Sequence, residues 1–407
     1  MPAVSMPNFR SPDFLLAHIR HTLSFYDGRC VDASGGFFHF YKNDGRIYDT
    51  RTRHLVSSTR FVFTQAMAFR RFGQPHYLER TRHALAFLQQ AHAQPQGGYA
   101  WQLDWHGGHA TVQDGSNHCY GLAFVLLAHA HALKAGVAEA AAGLDATWQL
   151  MERRFWENAN SLYADEATAD WQVGPYRGQN ANMHSCEAML AAFDATGDTK
   201  YLQRASTLAE AVTGRLAALA DGLVWEHYRV TPDGSWAVDW AYNRDDKTNI
   251  FRPWGYQTGH LTEWAKLLMQ LEAALPPTER PEWLLPRARH FFDTAMRAGW
   301  DEQHGGLVYG FAPGGEVCDG DKYFWVQAES FAAAALLAIR SGETHYWAWY
   351  DRIWNYAWQH FVDHENGAWF RQLSRDNIRL DDNKSPAGKT DYHTMGACYD
   401  VLRGLGA

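Results

Sequence analysis

Several features that mark other protein classes are missing from this chain of 407 residues. Nowhere do eighteen apolar residues follow one another, and residues 1–14 lack the charged and apolar segments of a secretory leader. Lys and Arg form no basic run, and the formal charge is -8, which argues against binding to nucleic acid. We therefore expect a soluble, cytoplasmic protein with neither a nucleic-acid nor a membrane partner.

Motifs for cofactors are scarce as well. The five cysteines are far apart and form no C-x-x-C pair, so reduced structural thiols are expected. Neither the dinucleotide-binding glycine pattern nor the phosphate-binding P-loop occurs. The sequence has no H-E-x-x-H and no Asp-rich loop, although a spatial cluster of histidines and acids could still bind a divalent ion. We predict no cofactor and no resident metal.

Aromatic residues, by contrast, are abundant. The chain has 18 Trp, 19 Tyr and 22 Phe, or 14% of all residues, within an otherwise ordinary globular composition of 46% hydrophobic and 20% charged residues. Rings with polar tips suit the flat apolar faces of sugars, but large helical cores also contain many rings.

A turn followed by aromatic-rich extended residues recurs six times. Equivalent positions are 36, 98, 160, 222, 306 and 367, separated by 62, 62, 62, 84 and 61 residues, and the extra residues of the long interval are Arg229 to Lys247. Gly or Asn at each position indicates a backbone with positive φ, followed by a short strand. The repeat predicts six structural units within a single domain, residues 1–407.

Apolar residues at three- and four-residue spacing predict two helices for each unit. The segments are 11–25, 56–72, 76–93, 116–134, 138–155, 179–196, 198–218, 255–273, 281–298, 322–341, 345–363 and 390–405. Several even-numbered segments are rich in Ala and poor in charge, which is typical of an inner ring. We therefore predict an all-α (α/α)6 barrel with short β-hairpins in its loops. An open solenoid is the alternative, but neither end resembles a polar capping repeat.

Unusual polar residues fall at the starts of the predicted inner helices. Arg60, Tyr120 and Asn180 are sixty residues apart, so a ring would bring them to one mouth. Arg60 could clamp sugar hydroxyls or form an outer salt bridge. Tyr120 and Asn180 could recognise hydroxyls or cap helices.

Two tryptophans and an acid extend this set. Trp254 and Trp325 could stack on a substrate or belong to the core. Glu329 lies inside an Ala-rich inner helix, where a carboxylate needs a partner.

Three of the 21 histidines lie in the first turns of inner helices, namely His184, His260 and His393. The positive end of a helix dipole disfavours imidazolium, so these rings are expected to be neutral and able to accept protons. Glu187 and Glu263 each follow a histidine by three residues and could orient it, although such pairs are often simple surface contacts.

Five segments, in this order, resemble the N-acylglucosamine 2-epimerase superfamily. They are Ser58-Thr59-Arg60-Phe61, residues 180–188, residues 259–264, residues 325–329 and Asp391-Tyr392-His393. The Asn-x-x-Met-His form at 180–184 resembles the mannose isomerase and sulfoquinovose isomerase branch. The resemblance spans nearly the whole chain and implies the (α/α)6 fold.

The resemblance also implies roles for individual residues. It implies that His184, His260 and His393 catalyse ring opening and proton transfer. Substrate contacts fall to Arg60, Tyr120, Asn180, Glu263, Trp325 and Glu329.

The implied reaction is the isomerisation of an unphosphorylated monosaccharide, D-mannose to D-fructose and also D-lyxose to D-xylulose. It proceeds through a cis-enediolate without a metal, in a monomer or a homodimer. Returning the proton to C2 from the other face would give a 2-epimerase of the N-acylglucosamine or cellobiose type, and sulfoquinovose isomerase is a further alternative. Two other functions are alternatives. One is glycoside hydrolysis with Glu263 and Glu329 as acid and base, and the other is sugar binding without catalysis.

Overall fold

Twelve α-helices account for most of the regular structure. The computed structural model describes residues 6–246, 249 and 252–407. Its helices are α1 (Pro12–Tyr26), α2 (Leu55–Phe72), α3 (Pro75–Phe87), α4 (Cys119–Lys134), α5 (Ala140–Arg154), α6 (Gln179–Thr196), α7 (Thr199–Glu210), α8 (Thr258–Ala274), α9 (Leu284–Gly299), α10 (Phe324–Ser341), α11 (Thr344–His360) and α12 (Tyr392–Gly404). Short π-helical turns, Leu88–His92 and Ala211–Leu216, continue α3 and α7, and a 3₁₀ turn (Pro277–Glu279) precedes α9.

The even-numbered helices form a closed inner ring. Each packs on the next, from α2 through α4, α6, α8 and α10 to α12, and α12 packs back on α2. Odd-numbered helices lie outside, with α3, α5, α7, α9 and α11 each against the inner helix that precedes it and α1 against α12. Ring closure excludes the open solenoid and confirms the predicted (α/α)6 barrel.

Composition explains which helices lie inside. Residues 332–335, four consecutive alanines in α10, are fully buried, because an inner helix meets protein on every side. Outer helix α9 instead buries a stripe that includes Leu284, Ala288 and Phe291 and leaves its charged face to solvent. Among the helices of the described ranges, none is both long and apolar enough to cross a bilayer.

Short antiparallel strands surround one end of the ring. They are β1 (Phe40–Lys42), β2 (Ile47–Asp49), β3 (Thr52–His54), β4 (Gln102–His106), β5 (His109–Asp114), β6 (Asn117–His118), β7 (Trp156–Glu157), β8 (Leu162–Tyr163), β9 (Glu166–Ala167), β10 (Tyr176–Gly178), β11 (His227–Val230), β12 (Trp236–Val238), β13 (Tyr256–Gln257), β14 (Gly310–Phe311), β15 (Val317–Asp319), β16 (Lys322–Tyr323), β17 (Gln372–Leu373) and β18 (Asn383–Ser385).

These strands connect neighbouring units. The strand before each inner helix pairs with strands of the following unit, as β3 with β4 and β10 with β11, and β18 before α12 pairs with β1 of the first unit. The sheets therefore close a second ring over the N-terminal ends of the inner helices, where the candidate site lies.

The repeated turns have the predicted left-handed backbone, with one shift. Positive φ occurs at Gly36, Gly98, Gly222, Gly306 and Gly367, as expected. In the third unit the residue with positive φ is Ser161 (φ 51°), not Asn160, so the prediction for position 160 was wrong by one residue. The asparagine instead donates side-chain hydrogen bonds to Glu157 and to the carbonyl of Gly234. Much of the insertion 229–247 forms the β11–β12 hairpin; Lys247 lies outside the described residues.

Candidate active site

The first turns of the inner helices bring their side chains together at the strand-covered end of the barrel, in a group that we call the chamber. Residues four apart lie on the same face of a helix, and the second and sixth positions of the inner helices carry the predicted polar groups. These positions hold Tyr120 in α4, Asn180 and His184 in α6, Trp325 and Glu329 in α10, Arg60 in α2, Glu263 in α8 and His393 in α12. His260 is the third residue of α8.

The structure brings the three histidines together. The Trp325 ring lies 5.2 Å from His260 and 5.6 Å from His393, between centroids. The Tyr120 ring packs edge-on against His184 at 5.1 Å. Arg60 connects the two groups, since its Nη2 is 3.3 Å from the Tyr120 hydroxyl and 3.4 Å from Nε2 of His393. Imidazoles from α6, α8 and α12 therefore share one chamber.

Two of the histidines are oriented by carboxylates on inner helices. Nδ1 of His184 is 2.9 Å from Oε2 of Glu187, the predicted partner three residues along α6, and the Tyr392 hydroxyl donates to the other oxygen of Glu187. Nδ1 of His393 is 2.7 Å from Oε1 of Glu329 on α10. In both pairs the carboxylate accepts a hydrogen bond from Nδ1–H. The proton of the neutral ring is therefore on Nδ1, and Nε2 carries a lone pair.

The third histidine has a different partner from the one predicted. Nδ1 of His260 lies 2.9 Å from Oε1 of Glu226, and Glu263 does not contact it, so the predicted His260–Glu263 pair was wrong. The physical reason lies in Gln179. Its oxygen accepts from Trp264 and its amide nitrogen donates to Glu226, which holds that carboxylate against the ring.

Glu263 belongs to a buried charge cluster below the histidines. Its Oε1 is 3.9 Å from Nδ1 of His184, and neither oxygen accepts a hydrogen bond from any described residue. Lys266, one turn further along α8, places its ammonium 2.5 Å from Glu329 and 3.5 Å from Asp400. Burial, together with the nearby charge of Glu329, raises the pKa of Glu263 well above its ordinary value, which favours the protonated carboxyl.

Burial governs the protonation of the histidines. It lowers the pKa of His184, and together with the cations of Arg60 and Lys389 it lowers the pKa of His393 well below 6.5. The prediction of neutral rings at helix starts therefore agrees with these two groups, although desolvation is the largest cause rather than the helix dipole. His393 is therefore neutral at neutral pH, and its Nε2 lone pair, which faces the Arg60 guanidinium at 3.4 Å, is the atom that can accept a proton.

Arg60 has more contacts than a simple substrate clamp. It is buried, and its guanidinium donates to the carbonyl of Gly388 in the segment before α12. It also lies over the rings of Phe124 and Tyr392, at 4.5 Å and 4.8 Å. The alternative of an outer salt bridge is excluded, because α2 is an inner helix and this side chain points to the chamber.

The two remaining predicted residues are Trp254 and Asn180. Trp254 contacts Trp225 at 5.8 Å and donates from its indole nitrogen to the Trp240 carbonyl, which places it in the loop before β13. Asn180 is one turn before His184 on the same face of α6, and its buried Oδ1 accepts no hydrogen bond from the described part of the chain. A buried carbonyl oxygen of this kind suits a hydroxyl donor.

Two groups of ligands could hold a metal ion. The donor atoms of His184, Glu187 and Glu263 lie within 4.8 Å of one another, and so do those of Glu263, Glu329 and His393. The carboxylates of Glu187 and Glu329 already accept hydrogen bonds from imidazole nitrogens. The ammonium of Lys266 beside Glu329 adds a competing cation, so the donor set fits a metal poorly.

A separate cavity of about 1000 Å³ opens at the opposite end of the barrel, among the last turns of the inner helices. Its deep wall includes Glu187, Lys266 and Glu329, whereas its rim carries charged pairs such as Glu272 with Arg340. The buried cluster therefore separates the two mouths of the ring.

Sequence reasoning missed three residues of the chamber. Glu226 precedes β11, in the irregular fourth unit, and no local signal identifies it. Phe124 is the sixth residue of α4, so its position in the repeat could have identified it. Lys389 is four residues before His393, and its ammonium lies 5.8 Å from the centre of the Trp325 ring.

Comparisons with known proteins agree with this arrangement. Residues 36–397 match the family model of N-acylglucosamine 2-epimerase. A D-mannose isomerase of Marinomonas mediterranea is 51% identical over 404 residues, covering 99% of this chain and all of that protein.

Solved structures give the same result. The crystal structure of a D-mannose isomerase superposes with a TM-score of 0.93 at 51% identity, over 98% of this chain and 100% of the other. A cellobiose 2-epimerase of Spirochaeta thermophila has a TM-score of 0.82 at 25% identity, over 97% and 96% of the two chains. The resemblance found in the sequence is thereby confirmed: this chain belongs to the N-acylglucosamine 2-epimerase family.

Proposed function

We propose that the chain is a D-mannose isomerase, which converts D-mannose to D-fructose and also accepts D-lyxose. The observation that carries this proposal is the set of three histidine–glutamate pairs, His184–Glu187, His260–Glu226 and His393–Glu329, at one barrel mouth. The 51% identity to a D-mannose isomerase over nearly the whole chain supports the same assignment. Isomerases of this kind need a neutral base and a cation that stabilises the enediolate. The histidines and Arg60 provide these two groups in the chamber.

The reaction begins with opening of the pyranose ring. Nε2 of His184 or His260 takes the proton of the anomeric hydroxyl and delivers it to the ring oxygen as the bond between C1 and that oxygen breaks, and the open-chain aldehyde results. Glu187 and Glu226 hold these two rings by Nδ1, so Nε2 is the atom that exchanges protons with the sugar. The ring faces of Trp325 and Tyr120 line the chamber beside them and suit the apolar face of a hexose.

His393 then moves the carbon-bound proton. Its Nε2 removes the proton from C2, whose electron pair forms the C1–C2 double bond of a cis-enediolate. The guanidinium of Arg60, 3.4 Å from the same nitrogen, stabilises the negative charge that develops on oxygen. Return of the proton from His393 to C1 gives the ketose. A single nitrogen that takes and returns the proton on one face of the enediolate gives the ketose, whereas return of the proton to C2 from the opposite face would give the 2-epimer.

No step of this sequence requires a metal. The Nδ1 atoms and Lys266 engage the carboxylates that would otherwise serve as ligands, and Arg60 supplies the positive charge that a Lewis acid would provide. We further propose that residues 1–407 act as one catalytic domain and that the enzyme is cytoplasmic and either monomeric or homodimeric. Size-exclusion chromatography with light scattering tests the oligomeric state.

A panel of sugars tests the proposed function. Purified protein is incubated separately with D-mannose, D-lyxose, N-acetylmannosamine, cellobiose and sulfoquinovose, and products are resolved by anion-exchange chromatography. We expect fructose from mannose and xylulose from lyxose. Unchanged mannose together with epimerised cellobiose or N-acetylmannosamine would refute the proposal, and so would turnover of sulfoquinovose alone. Release of monosaccharides from a mannan oligosaccharide would favour hydrolysis instead.

A further inference from the structure

Lys389 is a cation of the chamber that the mechanism above does not use. It follows Gly388 in the segment between β18 and α12, and this segment is fixed to the start of α2 on both sides. The Ser57 hydroxyl accepts from the backbone N–H of Gly388 at 2.9 Å, and Arg60 donates to the carbonyl of Gly388. Gly388 has φ of 70°, a left-handed conformation that favours glycine. The backbone of Lys389 is therefore held beside Arg60, whose guanidinium also contacts Nε2 of His393.

The lysines that are buried in the described part of the chain each have a carboxylate partner, whereas Lys389 is partly buried. Lys266 pairs with Glu329 at 2.5 Å, Lys322 with Asp301 at 3.3 Å and Lys384 with Asp363 at 2.7 Å. For Lys389, no described carboxylate lies within ion-pair distance of the ammonium, which instead faces the Trp325 ring. A partly buried cation without a counter-ion is available to a ligand that completes its hydrogen bonds.

The charged groups around Lys389 come from every neighbouring element. Arg60 on α2 and Arg371 before β17 repel its charge, and Glu263 on α8 attracts it. On α12 its charge also lowers the pKa of His393. Burial and the two arginines lower the pKa of Lys389 to about 7, so the amine can both donate and accept a proton near neutral pH.

The chemistry requires a second proton transfer. In aldose–ketose isomerisation, the carbon-bound proton moves from C2 to C1, and a second proton must move from the C2 hydroxyl to the C1 oxygen. His393 accounts for the first transfer only. We propose that Lys389 carries out the second: its ammonium protonates O1 as the C1–C2 double bond forms, and the resulting amine takes the proton from O2 as the C2 carbonyl forms. The lysine ends each cycle as it began, so the protons balance without a co-reactant.

Lysine variants test this proposal, which rests on the isomerase function. Lys389→Arg keeps the positive charge but cannot exchange protons, whereas Lys389→Met removes both properties. We expect kcat for mannose to fall about 100-fold or more in both variants, a usual size for a lost acid–base group, with KM for Lys389→Arg within about threefold of wild type. Lys42→Met, at a partly exposed lysine of β1 that pairs with Asp382, is the matched control and should keep wild-type kinetics.

The pH profile separates proton transfer from simple electrostatics. In wild type, kcat should decline as pH rises through the lysine pKa, because the first step needs the ammonium; Lys389→Arg should lack this decline. Binding of mannitol, an unreactive open-chain polyol, measured by calorimetry, together with thermal denaturation, shows whether each variant is folded and keeps its pocket.

Wild-type kcat in Lys389→Arg, with the alkaline decline intact, would overturn the proposal. If folded Lys389→Met turned over normally, that would overturn it as well. If wild type itself leaves mannose unchanged, the proposed function fails first, so the two failures are distinguishable. A Lys389→Met protein that does not fold leaves Lys389→Arg as the deciding variant.

Discussion

Glu329 on α10 accepts a hydrogen bond from Nδ1 of His393 on α12 at 2.7 Å, and the two residues are 64 positions apart in the chain. The same carboxylate meets the ammonium of Lys266 through its other oxygen. Lys266 favours the charged form of Glu329, and the carboxylate in turn fixes the tautomer of the imidazole. The base of the proposed reaction therefore depends on a buried carboxylate that acts through the imidazole.

Replacing Glu329 by Gln tests this positioning role. An amide can present its nitrogen to Nδ1 and stabilise the wrong tautomer, so we expect kcat to fall about 100-fold or more while KM changes little. Glu272→Gln is the matched control, because Glu272 pairs with Arg340 at the opposite mouth. Equal kcat in Glu329→Gln and Glu272→Gln would contradict the role assigned to Glu329.

Replacing Arg60 by lysine is expected to lower the activity. A lysine keeps the charge but cannot reach Gly388, Tyr120 and His393 with one planar group, as the guanidinium does. We expect kcat/KM for mannose to drop about 100-fold in Arg60→Lys, equivalent to about 3 kcal/mol of transition-state stabilisation. Steady-state kinetics together with circular dichroism provide the measurement. Retention of more than a third of the wild-type value would show that charge alone suffices.

Stability should fall as the solution becomes mildly acidic. Burial, with smaller effects of His21 and His364, lowers the pKa of His18 to about 3, and its Nε2 accepts a hydrogen bond from the Trp369 indole at 2.8 Å. The unfolded chain takes up a proton on this residue near pH 6.5 and the folded chain does not, so stability is present above that pH and is lost as pH falls toward 3.

This residue alone should reduce the free energy of unfolding by about 1 kcal/mol between pH 7 and pH 5.5. His18→Gln retains an acceptor for Trp369 and removes the titration, so urea denaturation at the two pH values should show a smaller loss in the variant. An identical loss in both proteins would contradict the assignment.

Removal of divalent metals should leave turnover intact. Imidazole nitrogens and Lys266 already engage two of the carboxylates near the candidate ligand groups, so the proposed proton transfers need no ion. Enzyme dialysed against EDTA and then assayed in chelator should keep its kcat within experimental error. Loss of activity that Mn²⁺ or Zn²⁺ restores would be the contrary result.

The periodic part of the fold could be predicted from the sequence. Turn residues repeat at near-constant spacing and inner helices are rich in Ala, so the twelve helices and the inner ring follow from local pattern. The same periodicity locates Tyr120, Asn180 and His184, because equivalent residues of a closed ring converge on one mouth. The exact residue at a turn was harder to predict. In the third unit, Ser161 has the positive φ, while the neighbouring Asn160 donates side-chain hydrogen bonds to Glu157 and to the carbonyl of Gly234.

Contacts between units could not be predicted in the same way. Glu226 lies just before the β11–β12 hairpin, 34 residues from its partner His260, and Gln179 on α6 holds the Glu226 carboxylate in place. Glu263 is closer to His260 in sequence but is not its partner. Some motif residues also support the fold rather than the site. Gln327 bonds both backbone groups of Leu307, and Asn182 does the same for Tyr163.

In the proposed mechanism, His393 transfers a proton between C2 and C1 within the chamber shared with His184 and His260. Incubation of D-mannose with enzyme in heavy water, followed by NMR of the products, tests it most directly, with His393→Asn as the inactive comparison. We expect fructose that carries deuterium at C1, to the extent that the histidine proton exchanges with solvent, and no product from His393→Asn. Glucose labelled at C2, without fructose, or undiminished turnover by His393→Asn, would contradict it.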